Sequence, residues 1–152
     1  MRIITGSAKG MKLKTLAGED ITRPTAERVK EAVFSMINFD IDGARVLDLF
    51  GGSGQLALEA LSRGAMLAVI GDSDRGAIDV IRENVKKTGF DDKTRVIMAD
   101  YKSLIRSFHS KESFDIVFHI FFRFSFFFIP TDSNKRVDEK SALFFIQNRI
   151  NE

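Results

Sequence analysis

Val46-Leu47-Asp48-Leu49-Phe50-Gly51-Gly52-Ser53-Gly54, followed downstream by Asp72, is the stretch that decides the fold of this chain. An apolar strand breaks at an acid into a glycine-rich turn. A helix follows, then a second strand that ends in another acid. This sequence of elements builds a nucleotide-shaped cleft. Working outward, a strand is predicted over 45–50 and a helix over 55–63, closed by Gly64. A strand over 67–71 precedes a helix over 75–87 that turns Ile78, Ile81 and Val85 inward and stops near Gly89. A third strand over 94–99, a short helix over 101–108 and a fourth strand over 114–118 complete the alternation. Strands separated by helices of this length imply right-handed crossovers and a doubly wound, mostly parallel, Rossmann-like α/β sheet.

Upstream, residues 2–5 and 11–15 flank a Gly6-Ser7-Ala8-Lys9-Gly10 turn and read as a hairpin. Thr22-Arg23-Pro24-Thr25 opens a helix, with Pro24 or Thr25 suited to its first turn. Its apolar face is expected at Val29, Ala32, Val33, Met36 and Ile37, with Glu27, Arg28, Lys30 and Glu31 mainly elsewhere. Three regions result: a basic N-terminal hairpin and extension at 1–21, the α/β core at 22–118, and an atypical phenylalanine-rich tail at 119–152. In the tail, Phe121, Phe122, Phe124, Phe126, Phe127 and Phe128 crowd together before a polar linker at 130–140 and a candidate short helix at 141–150. Such an aromatic run is an aggregation hazard unless buried. The C-terminal part of the fold is therefore expected to be truncated or altered.

With 152 residues the chain is large enough for one core without staples. The absence of cysteine excludes disulfides and thiol chemistry and fits a reducing compartment. Two histidines, His109 and His119, cannot form a metal cluster alone, and no metal is expected. The start, Met1-Arg2-Ile3-Ile4, does not read as a secretory signal. The apolar stretch 114–129 is interrupted by Asp115, His119 and Arg123 and falls short of the roughly 20 residues of a membrane span. A cytoplasmic protein without a membrane partner is expected; the oligomeric state is not legible. The net charge of +2 does not by itself announce a polyanionic partner. Its distribution says more, since residues 1–18 carry Arg2, Lys9, Lys12 and Lys14 and no acid. Such a patch attracts phosphates by counterion release, or it serves as a lysine-decorated edge that discourages strand pairing.

The glycine loop admits more than one ligand. Gly52-x-Gly54-x-x-Ala57 satisfies a small-residue variant of the dinucleotide fingerprint, which alone is a weak signal. Asp48 shifts the balance: a carboxylate at the mouth of the loop opposes a pyrophosphate, and no Lys or Arg lies between Val46 and Leu61 to compensate. It favours a ligand carrying an ammonium and a positive sulfonium, which describes S-adenosylmethionine. Asp72 is placed to accept from two ribose hydroxyls, or is a strand-end turn residue with Asp74 as a helix cap beside it. Asp100 stands near the adenine amine or caps the next helix, and Tyr101 flanks the base or covers the sheet edge. Acids at three successive strand ends are harder to dismiss together than singly.

Several blocks together carry a family resemblance. These are Gly6 with Lys9-Gly10, Thr22-Arg23-Pro24-Thr25 with Arg28-Val29-Lys30-Glu31-Ala32, the run from Ala44 through Gly54, and Glu59-Ala60-Leu61-Ser62-Arg63-Gly64-Ala65. In register over residues 1–118, the chain resembles the bacterial 16S ribosomal RNA guanine-N2 methyltransferases of the RsmD type. The resemblance implies the class I S-adenosylmethionine-dependent fold. It implies a cofactor site of Asp48, Phe50, Gly51, Gly52, Gly54, Asp72, Asp100 and Tyr101, with Asp72 where the family usually has Glu. It also implies RNA contacts from Arg2, Lys9, Lys12, Lys14, Arg23 and Thr25, and as partner the 16S RNA or the assembling small subunit.

The chain departs from the family after Phe114-Asp115-Ile116-Val117-Phe118. The family continues with Asp-Pro-Pro-Tyr, or Asn in place of that Asp, whose side chain and backbone carbonyl accept from the exocyclic amine while the aromatic stacks on the flipped base. Here Ile120, Phe121, Phe122 and Arg123 stand at those positions, so no catalytic residue of that motif is retained. Isoleucine cannot accept a hydrogen bond, and stacking alone does not supply the positioning that methyl transfer needs. Similarity lost in mid-motif, with a changed composition beyond, suggests a disrupted methyltransferase reading frame. Two other functions compete. One is a non-catalytic RNA- or ribosome-binding module built on the basic hairpin and Arg23. The other, disfavoured by Asp48, is an NAD-type dinucleotide-binding oxidoreductase using Gly52–Ala57.

Overall fold

The structure is a computed structural model and describes residues 1–16, 24–108, 111–119 and 128–130, with the backbone alone at 24–26 and 128–130. Its elements are α1 (Pro24–Met36), β1 (Arg45–Asp48), α2 (Gln55–Ser62), β2 (Leu67–Asp72), α3 (Arg75–Thr88), β3 (Thr94–Met98), α4 (Tyr101–Phe108), β4 (Ile116–Phe118) and β5 (Phe128–Pro130). The sheet order is β3-β2-β1-β4-β5. The first four strands run parallel, with Asp48 opposite Ile70 and Phe118 in register, and β5 pairs antiparallel to β4. This is the Rossmann-like α/β fold the alternation predicts. The remaining tail assignments, including the 141–150 helix, lie outside the described residues.

Strand order places the site before any side chain is considered. The chain runs from β1 outward through β2 to β3, then returns to lay β4 against the other side of β1. The order of the parallel strands therefore reverses between β1 and β4, and this topology assigns the ligand crevice to their carboxyl ends. Parallel strands need both faces covered, so their side chains divide between two cores. Val46, Ala68, Ile70, Ile116 and Phe118 pack with α1, α2 and α3, while Leu47, Val69 and Val117 pack with Leu104 and Phe108 of α4.

The N-terminal hairpin is reduced to a single antiparallel bridge, Arg2 with Lys12. Part of its backbone is bonded to α2 rather than across the hairpin. Ile4 and Thr5 N–H donate to the Glu59 carboxylate at 2.8 and 3.0 Å, and Ala8 N–H donates to Ser62 Oγ at 2.9 Å. Ser7 N–H donates to the Ser62 carbonyl, and Ser62 Oγ donates back to the Thr5 carbonyl at 2.6 Å. The arm divides its polar groups between α2 and itself, where Ile3 N–H donates to the Met11 carbonyl, Gly10 N–H to the Ile3 carbonyl and Leu13 N–H to the Met1 carbonyl, and Ile3, Ala8 and Leu13 sink into the core.

The expected face of α1 is corrected. Lys30, Val33, Phe34 and Ile37 are buried, whereas Val29, Ala32 and Met36 are exposed. Lys30 sits at 3% exposure because Glu59 offers it a carboxylate at 3.2 Å and the Arg2 carbonyl accepts from Nζ at 2.7 Å. Burial lowers the Lys30 pKa, with the Glu59 charge opposing that fall. Arg63 completes the cluster, bonding Glu59 at 2.9 Å and stacking over Phe34. A buried charge of this kind is tolerated only when paired and hydrogen-bonded throughout.

Candidate functional site

The loop after β1 is fixed at both ends. Gly51 N–H donates to the Gly71 carbonyl at 2.8 Å, and a Cβ at Gly51 would lie 2.5 Å from Ile70 Cγ2, so only glycine packs there. Gly52 is different: its φ is +57°, and a Cβ there would meet open space. The glycines thus divide their tasks, one allowing the loop to press on β2 and the other bending it beside the crevice.

Asp48 lies at the end of β1 with 1% of its surface exposed. Its Oδ1 accepts from Phe50 N–H at 3.3 Å, while Oδ2 is buried and has no hydrogen-bond partner among the described residues. Burial pushes this carboxyl up to about 7; the Phe50 amide pulls it down, and the neighbouring Asp72 pushes it further up. An orphan carboxylate oxygen in a protein interior is rare and costly, and it fits a cationic donor supplied by a ligand.

Asp72 is half-buried at the end of β2. Its Oδ2 accepts from Gly52 N–H at 3.0 Å and its Oδ1 from Asp74 N–H at 2.9 Å. It shapes the glycine loop directly, and each oxygen keeps a lone pair for a ligand hydroxyl. Asp74 caps α3 through Ala77 N–H. Asp100 is exposed and serves as the cap of α4, accepting from Lys102 and Ser103 N–H at 3.1 Å and from Ser103 Oγ at 2.6 Å. The Ser103 bonds hold its carboxyl below the usual range.

Phe50, Tyr101 and His119 come together, although only the first two are expected at the site from sequence. Phe50 lies 5.5 Å from Tyr101 and 5.1 Å edge-on to His119, and Tyr101 and His119 are 6.4 Å apart. Burial lowers the His119 pKa, so the ring is neutral near pH 7. The trio brings apolar ring surface from the ends of β1 and β4 and the start of α4 to the crevice.

Of the cationic residues, Arg2, Lys9, Lys12 and Lys14 are all exposed on the arm. Arg2 approaches Glu27 at 3.6 Å and Lys14 pairs with Glu83 at 2.6 Å; among the described residues, no acid pairs with Lys9 or Lys12. Arg23, the Thr25 side chain and 120–123 lie outside the described residues.

Strand order, the glycine loop and the acids at the ends of β1 and β2 define the fold as that of class I S-adenosylmethionine-dependent methyltransferases. Comparison with known proteins agrees. The chain belongs to the family described as Conserved hypothetical protein 95, which matches residues 1–119. It is 42% identical over 113 residues to the protein named "Putative rRNA methyltransferase YlbH" of Bacillus subtilis, covering 74% of this chain and 61% of that one. It is 33% identical over 119 residues to "Ribosomal RNA small subunit methyltransferase D" of Haemophilus influenzae, covering 78% and 61%. Among solved structures, "Putative methyltransferase yhhF from Escherichia coli" superposes with a TM-score of 0.68 at 36% identity, covering 78% of this chain and 62% of that one. The chain thus spans about three fifths of the length of these relatives. The family match ends at His119, and Ile120, Phe121, Phe122 and Arg123 follow it in sequence. Among the described residues, no helix is long and apolar enough to cross a membrane.

Proposed function

We propose that this chain binds S-adenosylmethionine at the carboxyl end of β1 and descends from enzymes that methylate a guanine N2 of small-subunit ribosomal RNA in the cytoplasm. The observation that carries the cofactor is the buried Asp48 Oδ2, unpartnered among the described residues, beside a glycine loop whose Gly52 N–H is held by Asp72. Asp48 would accept from the ligand's ammonium, and Asp72 from its ribose hydroxyls. Gly52 and Gly54 would lie along its amino-acid portion, with Gly51 packing the loop behind them. Phe50 and Tyr101 would flank the base, with Asp100 at the rim.

When bound, the cofactor supplies an activated methyl on a sulfonium. The reaction of the lineage is in-line attack by a guanine amine, so catalysis is chiefly positioning. Arg2, Lys9, Lys12, Lys14, Arg23 and Thr25 would hold RNA on the N-terminal side. Ile120, Phe121, Phe122 and Arg123 supply no acceptor equivalent to the lineage's acid or amide, so methyl transfer by this chain should be very low. Calorimetric titration with S-adenosylhomocysteine tests the cofactor reading, and absence of heat together with tight binding of a dinucleotide would overturn it. A tritiated-methyl assay on small-subunit RNA tests the activity, and turnover at ordinary enzymatic rates would overturn the loss.

A second reading rests on Lys9 and Lys12, exposed with no acidic partner among the described residues. Such residues suit a non-catalytic RNA-binding module. Salt-dependent RNA binding with no methyl transfer and no cofactor binding would favour it.

A further inference from the structure

Asn84, in α3, is fully buried and polar, and the sequence gives it no evident role. Its carboxamide is spent on two segments far apart in the chain. Oδ1 accepts from Lys14 N–H at 2.8 Å, and Nδ2 donates both to the Lys14 carbonyl and to the Ser53 carbonyl, each at 2.9 Å. Lys14 ends the basic arm, and Ser53 sits between Gly52 and Gly54 in the glycine loop. One side chain therefore bonds both at once, from behind the loop. A second, weaker contact joins the same pair of segments: Ser53 Oγ lies 3.8 Å from Met1 Sδ. The other end of the arm is bolted to Glu59 and Ser62 of α2, the helix that the glycine loop begins.

We infer that Asn84 is a positioning residue that locks the glycine loop to the basic arm, so that a nucleic acid held on the arm and a ligand held by the loop strengthen each other's binding. The physical basis is shared order. The loop conformation that receives a ligand at Gly52 has its Ser53 carbonyl fixed by the same amide that fixes Lys14. Holding either segment therefore lowers the cost of holding the other. Coupling is reciprocal by thermodynamic necessity and ordinarily amounts to about fivefold or more in affinity. This inference rests on the cofactor and RNA reading above for its two ligands, but the brace itself is a property of the free protein.

The experiment measures S-adenosylhomocysteine affinity by calorimetry, without and with a saturating RNA hairpin that carries a guanine in its loop. It uses the full chain and the variants Asn84→Ala and Asn84→Asp. The second keeps the acceptor for Lys14 and removes both donors. Asn84→Ser, which withdraws the carboxamide from both segments and leaves Lys14 intact, replaces Asn84→Ala if that variant does not fold. Phe108→Leu, a core substitution on the opposite face of the sheet, controls for general destabilisation. The hairpin should tighten S-adenosylhomocysteine binding by about fivefold in the wild type and in Phe108→Leu, and by less than about twofold in the Asn84 variants. Amide hydrogen exchange at residues 51–54 should accelerate in the Asn84 variants before any ligand is added. A wild-type factor of one, coupling that survives in the Asn84 variants, or coupling lost equally in Phe108→Leu would overturn the inference. If the wild type binds neither ligand, the functional reading fails, and the exchange measurement still decides the brace. Unchanged exchange at 51–54 overturns it, and acceleration confined to that loop and the end of the arm supports it.

Discussion

Asp48 and Asp72 stand at the ends of adjacent parallel strands with opposite hydrogen-bonding fates. Asp72 spends both oxygens on backbone amides, one of them from Gly52, whereas Asp48 leaves Oδ2 buried and unpaired among the described residues. The charge of Asp72 also raises the Asp48 pKa, adding to the effect of burial. One acid thus builds the loop and the other is kept in an environment that a cationic ligand would relieve. Replacing Asp48 by Asn removes a carboxylate from a site that penalises its charge. Asp48→Asn should raise the stability of the free protein by about 1–3 kcal/mol at pH 8 in urea unfolding, the penalty on the buried charge less the cost of an amide that stays unpaired. The same substitution should weaken S-adenosylhomocysteine at least tenfold by calorimetry. Lower stability with unchanged affinity would refute both halves.

The same carboxyl gives a pH dependence with a defined sign. Its folded-state pKa, about 7, lies above that of an unfolded carboxyl, so the native state binds the extra proton. This contribution is absent below about pH 4, grows against the folded state between about 4 and 7, and is constant above that. Ligand binding runs the other way, because an ammonium needs the ionised form. S-adenosylhomocysteine affinity should fall about tenfold per pH unit below pH 7 and level off above it, and Asp48→Asn should flatten the profile. Titrations at closely spaced pH values, with the free ligand's own ionisation subtracted, read this directly.

The glycines separate packing from access. Gly51→Ala drives a Cβ against Ile70 and Ile81 and should cost about 1–3 kcal/mol of stability by overpacking. Gly52→Ala meets no atom but holds a left-handed backbone, so it should cost only about 1 kcal/mol while adding a methyl group in open space on the loop proposed to hold the ligand. The ratio of lost affinity to lost stability should therefore be larger for Gly52→Ala. Equal ratios would mean that the loop does not contact the ligand through its backbone at Gly52.

The alternation of apolar runs with helical periods was enough to place all four parallel strands and the helices between them, because each segment's own period matches its tertiary role. Legibility failed where polar residues are buried by partners distant in sequence. Lys30 reads as a solvent residue until Glu59 is seen beside it, and its burial turns the inner face of α1 away from Val29 and Met36. Gln55, Glu59 and Ser62 are polar residues at helical spacing in α2, yet all are buried; Glu59 and Ser62 take hydrogen bonds from the arm. Asn84 gave no signal for the same reason. His119 was legible only as a lone histidine, and its place beside Phe50 follows from the pairing of β4 with β1.

The Glu59 cluster predicts how the arm is held. Glu59 is fully buried and binds Lys30, Arg63 and the N–H groups of Ile4 and Thr5. Removing its carboxylate leaves a buried ammonium and two unpaired amides, which ordinarily costs about 3–5 kcal/mol. Removing Lys30 instead leaves Glu59 with Arg63 and both amides, a smaller loss of about 2–3 kcal/mol. Glu59→Ala should therefore be the more damaging variant in urea unfolding and should expose the peptide bonds near Lys9 to trypsin while α3 stays protected. Lys30→Met should keep the arm protected, because the carboxylate that holds Ile4 and Thr5 remains in place. Equal arm cleavage in the two variants would show that the ammonium, and not the carboxylate, fastens the arm.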